Sequence, residues 1–155
     1  MLPQGIWEDT MTKDQALSVE YFAITTDDKP GVGADLHKKL AKEGVNLLAT
    51  LAFPSGAGKI QVDLVPENPE AFTKAARKLG LTVGSPKTAF LVQGTDRAGA
   101  LADVFDRLGA AKINIRATCG IVSGGNRYGA ILWVNAADVE SASRALGSQP
   151  AAHHV

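Results

Sequence analysis

Residues 27–50, DDKPGVGADLHKKLAKEGVNLLAT, return later in the chain as residues 95–118, TDRAGALADVFDRLGAAKINIRAT. The two stretches align without an insertion, because every identical pair is separated by the same 68 positions, as 96 − 28 shows. These pairs include Asp28 and Asp96, Gly31 and Gly99, Ala34 and Ala102, Asp35 and Asp103, Leu40 and Leu108, Asn46 and Asn114, and Thr50 and Thr118. A repeat of this length indicates duplication of a whole unit of about 65 residues, which is enough for a small domain.

The hydrophobic period of the first copy alternates between that of strands and that of helices. It predicts one helix between Gly31 and Gly44 and a second helix that opens with Asn68 and Pro69. It also predicts four strands, over 19–26, 45–53, 59–65 and 81–83.

The second copy follows the same order of elements until its end. It predicts two helices, the later of which stops at Gly147, and three strands, over 88–94, 113–122 and 127–134. Pro150 has no N–H to donate and argues against a fourth strand. The order βαββαβ predicts an α+β protein of two ferredoxin-like repeats, each an antiparallel sheet with both helices on one face, the second repeat lacking a clear last strand.

The repeat also predicts how the chain is divided. We expect an N-terminal extension at 1–17, a first repeat at 18–84, a second repeat at 85–147 and a C-terminal tail at 148–155. Within the extension, Ile6 and Trp7 are expected either to anchor the segment on the sheet or to supply the absent strand.

Strict alternation along the strands predicts which residues face the core. On the strand at 113–122 it assigns the core face to Ile113, Ile115, Ala117, Cys119 and Ile121, so the cysteine is expected to be buried. The same alternation assigns an apolar set to the opposite face as a candidate interface, namely Leu48, Ala52, Ile131 and Trp133. Apolar residues on an open face indicate a cover, either a partner chain or the sister repeat.

The loops that follow the first strand of each copy resemble the signature of the ACT domain family, in Asp28, Lys29, Pro30, Gly31 and Asn46 and again in Asp96, Arg97, Ala98, Gly99 and Asn114. That family is typified by a strand ending in Asp-Lys/Arg-Pro-Gly, a helix, and a Gly-Val-Asn-Ile-like start of the second strand. The resemblance covers about residues 18–147. It implies a regulatory module that binds amino acids or other small ligands, and the chain is similar to small proteins made only of tandem ACT domains.

The chemistry of these loops suggests a ligand site in each repeat. A glycine between strand and helix lets a ligand approach the backbone, and the N–H groups of the helix start can hold a carboxylate. Carboxylates and amide oxygens can accept from an ammonium group. The predicted binding residues are Asp28, Lys29, Pro30, Gly31, Val32 and Asn46, and Asp96, Arg97, Ala98, Gly99, Ala100 and Asn114.

Structural roles explain the same residues equally well at this point. Asp28 and Asp96 can serve only to cap their helices, which is a common role of Asp at a helix start. The glycines can serve only the turn, and the two asparagines can bond a neighbouring loop.

Composition excludes several functional classes. Sixteen basic and sixteen acidic residues give a net charge of zero, which argues against nucleic acid, RNA included, and against an anionic membrane surface. The single cysteine excludes an internal disulfide, and no spacing predicts a metal site, a cofactor or a catalytic triad. An acidic start without an apolar run predicts a cytoplasmic protein.

Two functions remain open. The first is a non-enzymatic regulatory protein that binds an amino acid or similar small ligand and acts through oligomerisation or through an enzyme or regulator in trans. We expect such a protein to form a homodimer. The second is a constitutive interaction or assembly module whose ligand sites are vestigial, since an open sheet edge invites strand addition by another chain.

Overall fold

The computed structural model of the chain describes residues 14–151. Its elements, in chain order, are β1 (Gln15–Asp27), α1 (Val32–Lys42), β2 (Leu47–Gly56), β3 (Lys59–Pro66), α2 (Pro69–Lys78), β4 (Lys87–Thr95), α3 (Ala100–Ala110), β5 (Ile115–Gly124), β6 (Arg127–Val134), a short 3-10 turn (Ala136–Asp138), α4 (Val139–Leu146) and β7 (Gln149–Pro150). The predicted α+β class is confirmed, and so is the order of strands and helices in the two copies apart from the fourth strand expected in the first copy.

The chain forms two compact units, which differ slightly from the two repeats. The first unit holds residues 20–87, and the second holds 88–151 together with 14–19. Strand β1 therefore contributes its first five residues to the unit of the second repeat. The rest of the predicted N-terminal extension, including Ile6 and Trp7, lies outside the described residues, as do His153 and His154 of the tail.

The first unit is an antiparallel sheet in the order β2-β3-β1. Phe22 lies opposite Leu64, and both belong to a core that α1 and α2 complete from one side of the sheet. The predicted start of α2 is confirmed, because the Asn68 side chain accepts a hydrogen bond from the Ala71 amide at 3.0 Å. The helices contribute Leu36, Leu40, Phe72 and Ala76 to this core.

The second unit repeats this arrangement with an antiparallel sheet in the order β4-β6-β5. Phe90 lies opposite Leu132 in its centre, and both are fully buried. The helices contribute Val104, Leu108, Ala142 and Leu146. Leu108 occupies the position that Leu40 holds in the first unit, so the repeat preserves the core as well as the topology.

A β-bulge in the second strand of each repeat reverses the alternation that the sequence suggests. The register shifts between Leu47 and Ala49 in β2 and between Ile115 and Ala117 in β5. An extra residue moves all later side chains to the opposite face. The bulges stand 68 positions apart, since 117 − 49 is 68, so the duplication preserved them.

The predicted core face of β5 is wrong beyond this bulge. Thr118 lies opposite the buried Leu132, whereas Cys119 lies opposite Ile131 on the other face. Cys119 is exposed, and the prediction that it is a small buried core residue is wrong. Ile121, also assigned to the core, is 67% exposed.

The predicted interface residues occupy different surroundings. Ala52 follows the first bulge and lies opposite the core residue Val62, while Leu48 lies at the bulge itself and is half-buried. Ile131 and Trp133 are 5% and 8% exposed. They are therefore buried in this chain, and their assignment to an interface stays a prediction.

The ends of the two repeats differ. Residues 81–83 form no strand, so the predicted fourth strand of the first repeat is wrong. This segment is tied to β1 by a single bond, in which the Gly84 amide donates to the Ala23 carbonyl at 3.1 Å. The second repeat ends in the two-residue strand β7, which runs parallel to Leu17 and Ser18. A strand this short fits the prediction that a clear last strand is lacking, because Pro150 cannot donate to a ladder.

Candidate functional site

Each repeat places a glycine at the start of its first helix in the left-handed region. Gly31 has φ 89° and Gly99 has φ 78°, and each is the N-cap of its helix, α1 or α3, without a side-chain capping bond. Residues that carry a Cβ atom are strained in this conformation, whereas glycine is not. Neither Asp28 nor Asp96 caps its helix, so the capping role considered for them is wrong.

The turns are held by backbone hydrogen bonds that are alike in the two repeats. The amide of Asp28 donates to the Gly58 carbonyl and the amide of Asp96 to the Asn126 carbonyl, both at 2.9 Å. The amides of Gly33 and Leu101, the second residues of α1 and α3, lie in the first turn of their helices, where no intrahelical acceptor is available to them. Both loops therefore present backbone donors at a helix N-terminus, where a negative group is favoured.

Beside the second loop lies an open groove of about 330 Å³. We call it the β5 groove, and its lining comprises Asp96, Arg97, Gly99, Ala100, Leu101, Ala102, Gly120, Ile121, Val122 and Tyr128. Gly120 lets Leu101 approach β5, because a Cβ at Gly120 would come within 2.8 Å of the Leu101 Cδ1 atom. Ile121 and Val122 are among the exposed large apolar residues, and they give the groove an apolar rim.

The predicted residue Arg97 lies in an ion-pair cluster at one end of this groove. Its Nη1 and Nη2 atoms donate to the two carboxylate oxygens of Asp14 at 3.1 and 3.0 Å. Nη2 also donates to Asp103 at 2.6 Å, and Nη1 donates to the Thr95 carbonyl at 3.2 Å. A fork that holds both oxygens of one carboxylate is the strong and orientation-specific form of this pairing.

Asp14 is the residue of this cluster that the sequence analysis did not identify. Its side chain is 6% exposed and fills the space above Gly94, where a Cβ atom would collide with the carboxylate. Burial alone raises the pKa of Asp14, but Arg97 and the Tyr128 hydroxyl, with the charge of Arg107, hold it below the ordinary value. The signal available in the sequence was Gly94 itself, because a glycine inside a strand often marks a close approach.

Tyr128 closes this end of the cluster. Its hydroxyl is buried against the Asp14 carboxylate without a hydrogen bond of ordinary geometry to the described residues. Burial, together with the negative charge of Asp14, raises the pKa of Tyr128 to about 12, so the hydroxyl keeps its proton and remains available as a donor.

The first loop has a different set of charges. Lys29, the counterpart of Arg97, lies 3.5 Å from Asp27, which also pairs with Lys59 at 2.6 Å. The hydrogen bond and charge of Lys59, followed by those of Lys29, lower the pKa of Asp27. All three side chains are about half exposed or more, so this cluster is a surface feature.

The two predicted asparagines lie elsewhere. Asn46 precedes β2 and donates to Glu67 at 2.9 Å, at the end where Leu47 pairs with Pro66. The loop lies at the opposite end of the sheet, where Gly56 pairs with Lys59, about 30 Å away at the usual rise per strand residue. Asn114 is exposed before β5 in the same way. Within one repeat, therefore, the structure does not bring the asparagine and the glycine loop together.

Residues 14–151 hold no group of three or more His, Cys, Asp or Glu side chains placed to share a metal ion. Among their helices none combines the length and the apolar character that crossing a bilayer requires.

Comparison with solved structures finds the same fold in other proteins. Protein BT0572 from Bacteroides thetaiotaomicron is 20% identical, with a TM-score of 0.73 over 85% of this chain and 88% of its own. The regulatory subunit of aspartate kinase from Thermus thermophilus is 18% identical, with a TM-score of 0.59 over 88% and 96%. The corresponding subunit from Thermus flavus is 18% identical, with a TM-score of 0.52 over 89% and 95%. No protein-family model and no curated protein matches the chain.

Proposed function

Because the chain has the fold of tandem ACT domains, we propose that it is a non-enzymatic regulatory protein that binds an amino acid or a similar small ligand at its strand–helix loops. The observation that carries the proposal is the pair of left-handed glycines, Gly31 and Gly99, which start α1 and α3 without a capping side chain. Each leaves backbone donors open to the carboxylate of a ligand.

The second loop is the better developed of the two sites. The ligand carboxylate lies at the amides of Gly99 and Leu101, and the half-buried Asp96 supplies an acceptor for its ammonium group. The ligand side chain extends into the β5 groove, between Leu101 and the apolar rim of Ile121 and Val122. This lining favours an amino acid with an apolar side chain.

The ligand acts by biasing an association of the protein. Strand β5 is the edge of its sheet, and it carries both the groove and the exposed Ile121 and Val122. A ligand in the groove therefore changes a surface suited to a second copy or to an enzyme or regulator in trans. Regulatory subunits of aspartate kinase share the fold, which supports a regulatory role.

The test is a thermal-shift titration of the full chain against each standard amino acid. Binding to the folded state adds about 2.7 kcal/mol of stability at a hundredfold excess over the dissociation constant. We expect Gly99→Ala to abolish the shift for the ligand that is found. Gly44→Ala is the matched control, because Gly44 has a similar φ of 76° and equally open surroundings but lies away from both loops.

A second function is favoured by the same exposed residues. An interaction module that works without a ligand would use Ile121 and Val122, 67% and 57% exposed, as a permanent contact. Sedimentation of the wild type and of Ile121→Lys separates the two functions. Assembly that Ile121→Lys disrupts equally with and without amino acids supports the interaction module, whereas assembly that changes with one amino acid supports the sensor.

A further inference from the structure

The Asp14 carboxylate occupies a recess that the second repeat provides and that nothing in the first repeat resembles. The recess has a floor at Gly94, where no side chain intervenes, and the Tyr128 ring forms one wall. The guanidinium fork of Arg97 holds both oxygens of the carboxylate at 3.0 and 3.1 Å. These three residues together match the size, charge and planarity of one carboxylate group.

The first repeat shows that the fold does not require this recess. The counterparts of its three residues, by the constant offset of 68, are Thr26, Ile60 and Lys29. Threonine carries a side chain where the floor has none, isoleucine has no hydroxyl, and lysine has no fork. The same backbone is built without them, so the recess is an addition of the second repeat.

The recess also opens on the β5 groove. Arg97 and Tyr128 line both, and the Arg97 side chain is 40% exposed even with Asp14 in place. Asp14 itself does not line the groove and reaches the recess from the segment that precedes β1. A carboxylate that enters through the groove therefore reaches the guanidinium that holds Asp14.

We propose that this recess is a carboxylate-binding site and that Asp14 is its built-in ligand, which a small carboxylate entering through the β5 groove displaces. The inference deepens the proposed function, on which it rests for the biological ligand, because Arg97 belongs to the second loop. It adds the Arg97 fork to the amides of Gly99 and Leu101 as a partner of the ligand carboxylate, and it makes release of the segment at Asp14 the structural response to binding. Asp103 keeps one contact with Arg97 in either state, at 2.6 Å in the structure.

The experiment tests whether free acetate restores the stability of a variant that lacks the Asp14 carboxylate. Asp14→Ala removes the carboxylate, and we expect the melting temperature of the full chain to fall by about 3–10 °C, the loss that corresponds to a charge-assisted hydrogen-bond pair. Sodium acetate is then titrated against sodium chloride at equal ionic strength. Acetate is expected to restore part of the loss in a saturable manner, and chloride is not.

Two matched variants define the rescue. Asp14→Asn fills the recess with a group of the same shape, and acetate is expected to leave its melting temperature unchanged relative to chloride. The double variant Asp14→Ala with Arg97→Ala lacks the fork and should also show no rescue. If acetate shifts the wild type and all variants alike, or if Asp14→Ala gains nothing, the proposal is overturned.

A measurement on the wild type covers the case in which Asp14→Ala does not fold. Hydrogen exchange of the amides at 14–19 should become faster in high acetate than in equal chloride, because acetate displaces Asp14 and frees the start of β1. Unchanged exchange in that segment would overturn the proposal. Acetate carries no amino group, so this result and the amino-acid titration succeed or fail separately.

Discussion

The two strand–helix loops share one backbone and carry different chemistry. Both start a helix at a left-handed glycine, and both are tied to the following hairpin by a hydrogen bond of 2.9 Å. The first loop surrounds Lys29 with an exposed ion pair, whereas the second surrounds Arg97 with a buried carboxylate. Duplication therefore preserved the turn, while the side chains around it diverged. We call the first loop open, because its ion pair is exposed, and the second loop closed, because the carboxylate that pairs with Arg97 is buried.

The largest expected effects test what the two repeats share. Leu40→Ala and Leu108→Ala each remove a fully buried side chain at the same position of the repeat. We expect each to lower the free energy of unfolding by about 2–5 kcal/mol, because both leave a cavity. Urea denaturation of the two variants measures this. Effects that differ by more than this range would show that the two cores are not equivalent.

The next effect tests what separates the loops. Gly94→Ala places a methyl group where the Asp14 carboxylate lies, and we expect a loss of about 1–3 kcal/mol in unfolding free energy from the forced displacement. Thr26→Ala, at the matching position of the first repeat, removes a half-buried side chain and should cost less. The same denaturation experiment compares them, and equal losses would contradict the assignment of a recess to Gly94.

A smaller contrast concerns the two cations. Arg97→Ala leaves the buried Asp14 without its fork, and the melting temperature should fall by several degrees. Lys29→Ala removes an exposed ion pair of 3.5 Å and should change the melting temperature by less than a degree. Thermal denaturation by circular dichroism measures both. A Lys29 effect as large as that of Arg97 would remove the distinction between an open and a closed loop.

The smallest expected effect is the pH dependence of the stability that Asp14 contributes. The folded-state pKa of Asp14 is lowered, so the stability it adds is present above the unfolded value of about 3.9 and is lost as the pH falls through the folded value. The stability difference between the wild type and Asp14→Asn should therefore be constant near neutral pH and shrink in acid. Urea melts at several pH values test this, and a difference that grows in acid would contradict it.

Much of the fold follows from the sequence, and the departures have physical causes. Identical residues at a constant offset predict the repeat, and Asn68 with Pro69 predicts the start of α2 at the residue where it begins. The bulges at the start of β2 and β5 leave no mark in a hydrophobic pattern, so the faces of Cys119 and Ala52 were inverted beyond them.

The sequence predicts the glycine loops of the candidate site, but it does not predict the pairing of Arg97 with Asp14. The glycine loops are local features, and the sequence places them correctly at the helix starts. The pairing of Asp14 with Arg97 joins residues 83 positions apart, and Asp14 lies outside the repeat, so no comparison of the two copies could reveal it. The asparagines belong to the opposite end of the sheet because a whole strand separates them from the loop.

The exposure of Cys119 makes it a suitable attachment site for a fluorescent label. It is the single cysteine of the chain, and the bulge turns it outward on β5, next to Gly120 in the wall of the groove. A maleimide fluorophore would therefore attach to one place without any engineered residue, on the strand that forms the groove and on the face away from the core. Changes in its emission or anisotropy would follow occupancy of the groove, or association along the β5 edge, in real time.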